Sequence, residues 1–161
     1  MNSNDLIQAD TQKNEEIHNL LLNAKRVCCD FFYDKYDYCD KEAVEELGLE
    51  SELIEQLVED YVIQVIKSLE LFREYIQTLQ LQQKNNQTPD FTPLRELAHK
   101  NLGVARNLRI KDSEEILLQL MRQENIEDFP HYIDVLEACV IRLKPSVAYS
   151  TLKLIKIKKN L

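Results

Sequence analysis

Apolar residues recur at helical spacing along most of the chain. Ile17, Leu20, Leu21, Ala24 and Val27 form a stripe at i, i+3, i+4, i+7 that predicts a helix over 13–30. An acidic, aromatic stretch follows over 30–40, then a short helix over 41–47 that Gly48 stops. A long helix begins at Ser51, whose hydroxyl is placed to cap it. Glu52 and Glu55 fall in its first turn, where the helix dipole favours acids. Its stripe is Leu53, Ile54, Leu57, Val58, Tyr61, Val62, Val65, Ile66, Leu69, Phe72, Tyr75, Ile76 and Leu79, and its expected end is near 81. The polar stretch 82–91, with Pro89, reads as a loop.

Thr92-Pro93 opens the next helix: a hydroxyl cap, then proline where the missing N–H is harmless. That helix is expected over 93–109. Asp112 and Glu115 make a capping-box-like start for a helix through about 123. Pro130 starts another and Pro145 kinks or ends it. The last helix carries Val147, Ala148, Thr151, Leu152 and Ile155. The simplest way to bury these stripes is an all-α, antiparallel up-and-down four-helix bundle with an extra N-terminal helical segment.

Composition narrows the function classes. The 161 residues include two glycines and four prolines, against roughly 11 and 8 at average usage. Two glycines supply too few positive-φ corners for a many-stranded sandwich or barrel. They also exclude the glycine-rich P-loop and Rossmann fingerprints. The net charge is −8, which disfavours non-specific nucleic-acid binding. It is unevenly placed: residues 1–92 carry 19 acids and 8 bases, residues 93–161 carry 9 acids and 12 bases. Cys28, Cys29, Cys39 and Cys139 form no CxxC and no zinc-type spacing with histidine. With no signal peptide and no long apolar run, the expectation is a cytoplasmic protein with free thiols and no membrane span.

Gly48 is accounted for as a helix end. Gly103 sits inside the helical pattern 94–108, where glycine costs roughly 1 kcal/mol against alanine. With Leu94 at 0° and about 100° per residue, Leu97, Ala98, Leu102, Ala105 and Leu108 centre on the core side. His99 falls near about 140° and Gly103 near about 180°, one turn apart on the outer face. Arg95 and Arg106 flank the histidine at about 100° and 120°. Between residues 93 and 111, Arg95, Lys100, Arg106, Arg109 and Lys111 oppose Glu96 alone. A bare imidazole among cations suits an anion arriving at nitrogen, because imidazole titrates near neutrality and is partly the neutral nucleophile. The competing reading is a surface histidine beside a glycine that serves close helix packing.

The run from Leu97 to Leu108, LAHKNLGVARNL, resembles the phosphorylation-site helix of histidine-containing phosphotransfer (Hpt) domains, which typically reads A-H-x-L-K-G-x-A-x-x-L. Ala98, His99, Gly103, Ala105 and Leu108 match in register. Tyr38 to Glu74, with its short helix and "EELGL", is similar to the family's opening. The resemblance covers 37–161, the expected bundle, and leaves 1–36 as an N-terminal helical extension. It implies a phosphocarrier of a two-component phosphorelay, with no kinase activity of its own. His99 would be phosphorylated and Gly103 would provide access. The partners implied are a receiver domain, a sensor histidine kinase, or both, and the chain is expected to act as a monomer without cofactor or metal. The sequence departs from the pattern at two adjacent positions: the family's Leu-Lys pair is Asn101-Leu102 here, so the lysine three residues after the histidine is missing. The resemblance therefore leaves Arg95, Arg106 and Lys100 as candidate phosphate stabilisers. The alternative it leaves is a degenerate, binding-only bundle that docks a receiver or kinase domain.

Other constellations favour structural readings. His131 follows Pro130 at a helix start, and His18 lies beside the N-terminal stripe. Asp30, Asp34, Asp37 and Asp40 lack EF-hand spacing and read as a solvated acidic loop. Phe31, Phe32, Tyr33, Tyr36 and Tyr38 are expected to pack the N-terminal segment onto the bundle. Lys153, Lys156, Lys158 and Lys159 complement the dipole at a helix C-terminus, with an anionic membrane as the alternative contact.

Overall fold

A computed structural model describes Gln12, Glu15 and residues 37–160. The expected helix over 13–30, His18, Cys28, Cys29 and the aromatics at 31–36 lie outside the described residues. Six α-helices cover most of the rest: α1 (Lys41–Leu47), α2 (Ser51–Lys84), α3 (Thr92–Asn107), α4 (Lys111–Arg122), α5 (Phe129–Leu143) and α6 (Pro145–Lys159). One 3₁₀ turn, Ile126–Asp128, precedes α5, and no strand occurs among the described residues.

The long helix α2 is the spine. Its buried residues Ile54, Val58, Tyr61, Val62, Val65, Ile66, Leu69, Phe72, Ile76 and Leu79 follow the expected stripe, but Leu53 is exposed. Leu53 lies in the first turn, on the side of α2 turned away from the buried Ile54. Helices α3, α5 and α6 all pack on α2, α4 packs on α3 and α5, and α6 also packs on α5. The ion pairs give directions. Arg73 of α2 pairs with Glu137 of α5 at 2.5 Å, and Glu55 pairs with Lys144 at 2.9 Å, so α5 runs back along α2. Lys159 then meets Glu70 at 2.8 Å, so α6 runs alongside α2 in the same direction.

The helix ends correct three expectations. Ser51 is the first helical residue rather than the cap, and its hydroxyl donates to Asp40 at the start of α1. Thr92 is likewise already helical. Asp90 accepts from the Thr92 N–H at 3.1 Å, and hydrogen bonds from Thr92 hold this exposed carboxyl below its ordinary range. Asp112 lies inside α4, and its carboxylate points to the interior rather than capping the helix. In each case the tertiary neighbour, or an acid two residues upstream, outcompetes the local cap.

Gly48 behaves as read. It is left-handed (φ 64°), and its N–H donates to Val44 O at 3.0 Å. Two other helix ends turn left-handed without glycine: Asn86 after α2 (φ 56°) and Arg109 after α3 (φ 58°). After α3, Arg109 N–H bonds Arg106 O and Ile110 N–H bonds Ala105 O, the Schellman pattern that usually employs glycine. Arg109 is held there by ion pairs to Glu46 and Glu42 of α1.

One buried polar group fixes α3 on α2. Asn101 is fully buried. It accepts from Gln64 Nε2 at 2.8 Å and donates to Ser68 Oγ at 3.3 Å and Leu97 O at 3.0 Å. Asn101→Ala removes a hydrogen-bond partner from both Gln64 and Ser68 in the α2–α3 interface. Urea unfolding is expected to show a loss of about 1–3 kcal/mol.

A second polar node joins α4 to α5. Asp112 accepts from Ser113 N–H at 2.7 Å and from Arg142 Nη2 at 3.2 Å. The thiol of Cys139 also bonds the carboxyl, and burial pushes both groups up in pKa. A cavity of about 150 Å³ lined by Asp37, Tyr38, Asp112, Cys139 and Arg142 adjoins this node. Tyr38 packs against the core, as expected, and its hydroxyl donates to Leu108 O at 2.7 Å.

Candidate functional site

Helix α3 places the candidate residues because its inner face is apolar. Leu94, Ala98, Leu102, Ala105 and the following Leu108 are buried, and Leu97 is half-buried. The amphipathic stripe therefore fixes the rotation of the helix, and His99 and Gly103 emerge together on the exposed side. His99 has no hydrogen bond or ion pair among the described residues.

The surroundings of Gly103 bear on one reading of that glycine, close helix packing. A methyl group at its Cα would meet nothing within 4 Å, and its backbone is ordinary helix. Close packing therefore does not require it, and neither does a turn. The chain accepts Arg109 at a left-handed position six residues later, yet spends its second glycine in open space one turn from an imidazole.

The three candidate cations differ in their engagement. Lys100 is exposed and has no ion pair among the described residues. Arg95, one turn before His99, lies over the Phe91 ring with its guanidinium carbon 4.7 Å from the centroid. Among the described residues its buried Nε has no hydrogen-bond partner and no carboxylate pairs with it. Arg106 is paired with Glu114 of α4, Nε to Oε1 at 3.3 Å. Leu102 is buried in the core and cannot serve a phosphate. Lys111 pairs with Glu42 on α1, so two of the five cations counted in the sequence are directed to α1.

Sequence reasoning missed the acid that engages Arg106 and the ring beneath Arg95. Phe91 is four residues before Arg95, a spacing that brings side chains together on a helix and was readable. The Arg106–Glu114 contact depends on how α3 folds back against α4, which no local pattern specifies. His131 is exposed at the start of α5. Cys39 is exposed and Cys139 buried, both free. Among the described residues no group of three or more His, Cys, Asp or Glu is placed to hold a metal, and no helix is long and apolar enough to cross a membrane.

No protein-family model, no curated protein and no solved structure matches the chain.

Proposed function

We propose that this chain is an Hpt-like phosphocarrier that takes a phosphoryl group onto His99 from a receiver-domain aspartate or a histidine kinase and passes it on. The observation that carries the reading is Gly103: a costly mid-helix glycine with open space around it, one turn from an exposed histidine. The contacts α2–α3, α3–α4, α4–α5 and α5–α2 form a closed ring, which supports a four-helix bundle as the scaffold.

In the transfer step, the ring nitrogen bearing the lone pair attacks the aspartyl phosphate. The N–P bond forms as the acyl O–P bond breaks, and the carboxylate leaves. The charge gained by the ring is lost as the proton on its other nitrogen. Arg95 is the first candidate stabiliser, since it starts one turn from His99 and has no ion pair among the described residues, and its guanidinium must leave the Phe91 ring to reach a phosphate there. Lys100 adds an unpaired charge nearby, and Arg106 must leave Glu114 to contribute. The receiver supplies its own metal ion and acid cluster, and the cationic α3 steers that acidic pocket toward the histidine.

The test is transfer of radiolabel from phosphorylated receiver domains of the same genome. The expected product is acid-labile, base-stable and located on the peptide containing His99. No labelling with any receiver or kinase, or label on another residue, refutes the phosphocarrier.

One observation favours a second reading, a non-catalytic bundle that docks a receiver or kinase domain. Leu102 occupies the core where the family's lysine would face phosphate. Receiver binding that survives His99→Ala, together with no labelling, would select it.

A further inference from the structure

The carboxyl-terminal half of α6 presents an outer face that neither the core nor the proposed transfer chemistry uses. Leu154 is 60% exposed and Ile157 48% exposed, three residues apart on the helix. With Lys153 at 0° and about 100° per residue, Ile157 lies near about 40° and Leu154 near about 100°. Lys153 borders this pair on one side, and Lys158, near about 140°, borders it on the other. The buried residues of α6, Ala148 and Thr151, fall near about 220° and 160°, so the aliphatic pair projects away from the core. A favourable helix dipole accounts for lysines in a last turn. It does not account for two aliphatic side chains held in water between them.

The charges around the pair are of one sign. Helix α6 contains no acid, and Lys153 and Lys158 are exposed and have no ion pair among the described residues. Lys159 is engaged with Glu70 of α2. We infer that this face docks on an anionic lipid surface, with Leu154 and Ile157 entering the headgroup boundary and Lys153 and Lys158 contacting lipid phosphates. The arrangement suits that occupant. Lysine stems can run along an apolar layer while their ammonium groups reach back to the phosphates. The face is the convex side of one helix, which fits a deformable planar surface. The net charge of −8 does not oppose this at physiological salt, because charges beyond about 8 Å are largely screened.

The chain contains no tryptophan, so Ile157→Trp gives a single reporter at the centre of the face. At about 0.15 M salt, its emission is expected to shift to the blue with vesicles of phosphatidylcholine mixed with phosphatidylglycerol. Vesicles of phosphatidylcholine alone are expected to leave it unchanged. In co-sedimentation of the otherwise native chain, Lys153→Gln or Lys158→Gln should each weaken binding roughly fivefold. The double variant Leu154→Ser/Ile157→Ser should weaken it by about tenfold or more. All these positions are exposed, and circular dichroism should report an unchanged helix content. No blue shift, equal binding to neutral vesicles, or binding indifferent to the aliphatic pair would each overturn the proposal. A blue shift of equal size with polyglutamate would overturn it too, by assigning the face to an acidic protein.

Discussion

His99→Gln is expected to accept no label from any phosphorylated receiver while unfolding at the same urea concentration as the parent chain. The imidazole is exposed and has no partner among the described residues, so its removal breaks no contact that stabilises the fold. Gly103→Gln supplies the complementary result. A glutamine one turn from His99 puts a flexible side chain into space that holds no other atom. Phosphoryl acceptance is expected to fall at least tenfold, since small displacements of reacting groups cost rates of that order. The same change removes glycine from a helix interior and should stabilise the fold by roughly 0.5–1 kcal/mol. Loss of transfer together with gain of stability is the signature of a glycine kept for access. A gain of stability with unaltered transfer would leave Gly103 unexplained by the histidine. Loss of both stability and transfer would mean that the substitution disturbs α3 itself.

The outer face of α3 was legible because helix periodicity is a strong local signal. Leu94, Ala98, Leu102, Ala105 and Leu108 are all buried, so the projection that put His99 and Gly103 outside needed no tertiary knowledge. The helix starts were less legible. Ser51, Thr92 and Asp112 each have the chemistry of a cap, yet each lies within its helix, and Ser51 and Asp112 bond to other parts of the chain. Composition ranks such residues for capping, but it does not say which acid lies nearby in space. The cations were legible only as a count. Sequence placed Arg95 and Arg106 on the same flank of His99, with nothing to rank one above the other. Folding distinguishes them, because Glu114 reaches one and the Phe91 ring supports the other. Asn101 was visible only as a departure from the family's pattern. Its polar role depends on Gln64 and Ser68, more than thirty residues away on α2. The exposed aliphatic pair on α6 was legible only by omission: Leu154 and Ile157 fall outside the stripe Val147, Ala148, Thr151, Leu152 and Ile155, and the packing shows them left in water.

Arg142→Met is expected to cost about 2–4 kcal/mol at neutral pH, read as a lower midpoint in urea unfolding. Its side chain is 25% exposed, whereas that of its partner Asp112 is 4% exposed, so the arginine can be hydrated but the carboxylate cannot. Burial already raises the Asp112 pKa, against the opposing pull of the Ser113 N–H and Arg142. A carboxyl whose folded pKa lies above its unfolded value binds more protons in the native state. Its contribution to stability therefore declines as pH rises from the unfolded pKa through the folded one. Removing Arg142 raises the folded value further and deepens that decline, so the cost of Arg142→Met should shrink on acidification. Adding Asp112→Asn to the Arg142→Met chain removes the buried charge and should recover more than half of the loss. A cost independent of pH, with no recovery in the double variant, would assign the effect to lost packing of the arginine stem. Recovery by Asp112→Asn would instead identify Arg142 as the counter-ion that permits a carboxylate between α4 and α5. That interface also joins α4, the partner of α3, to the rest of the ring. Loosening it through Arg142→Met should slow transfer at His99 far less than it lowers stability, because α3 is independently held on α2 by Asn101.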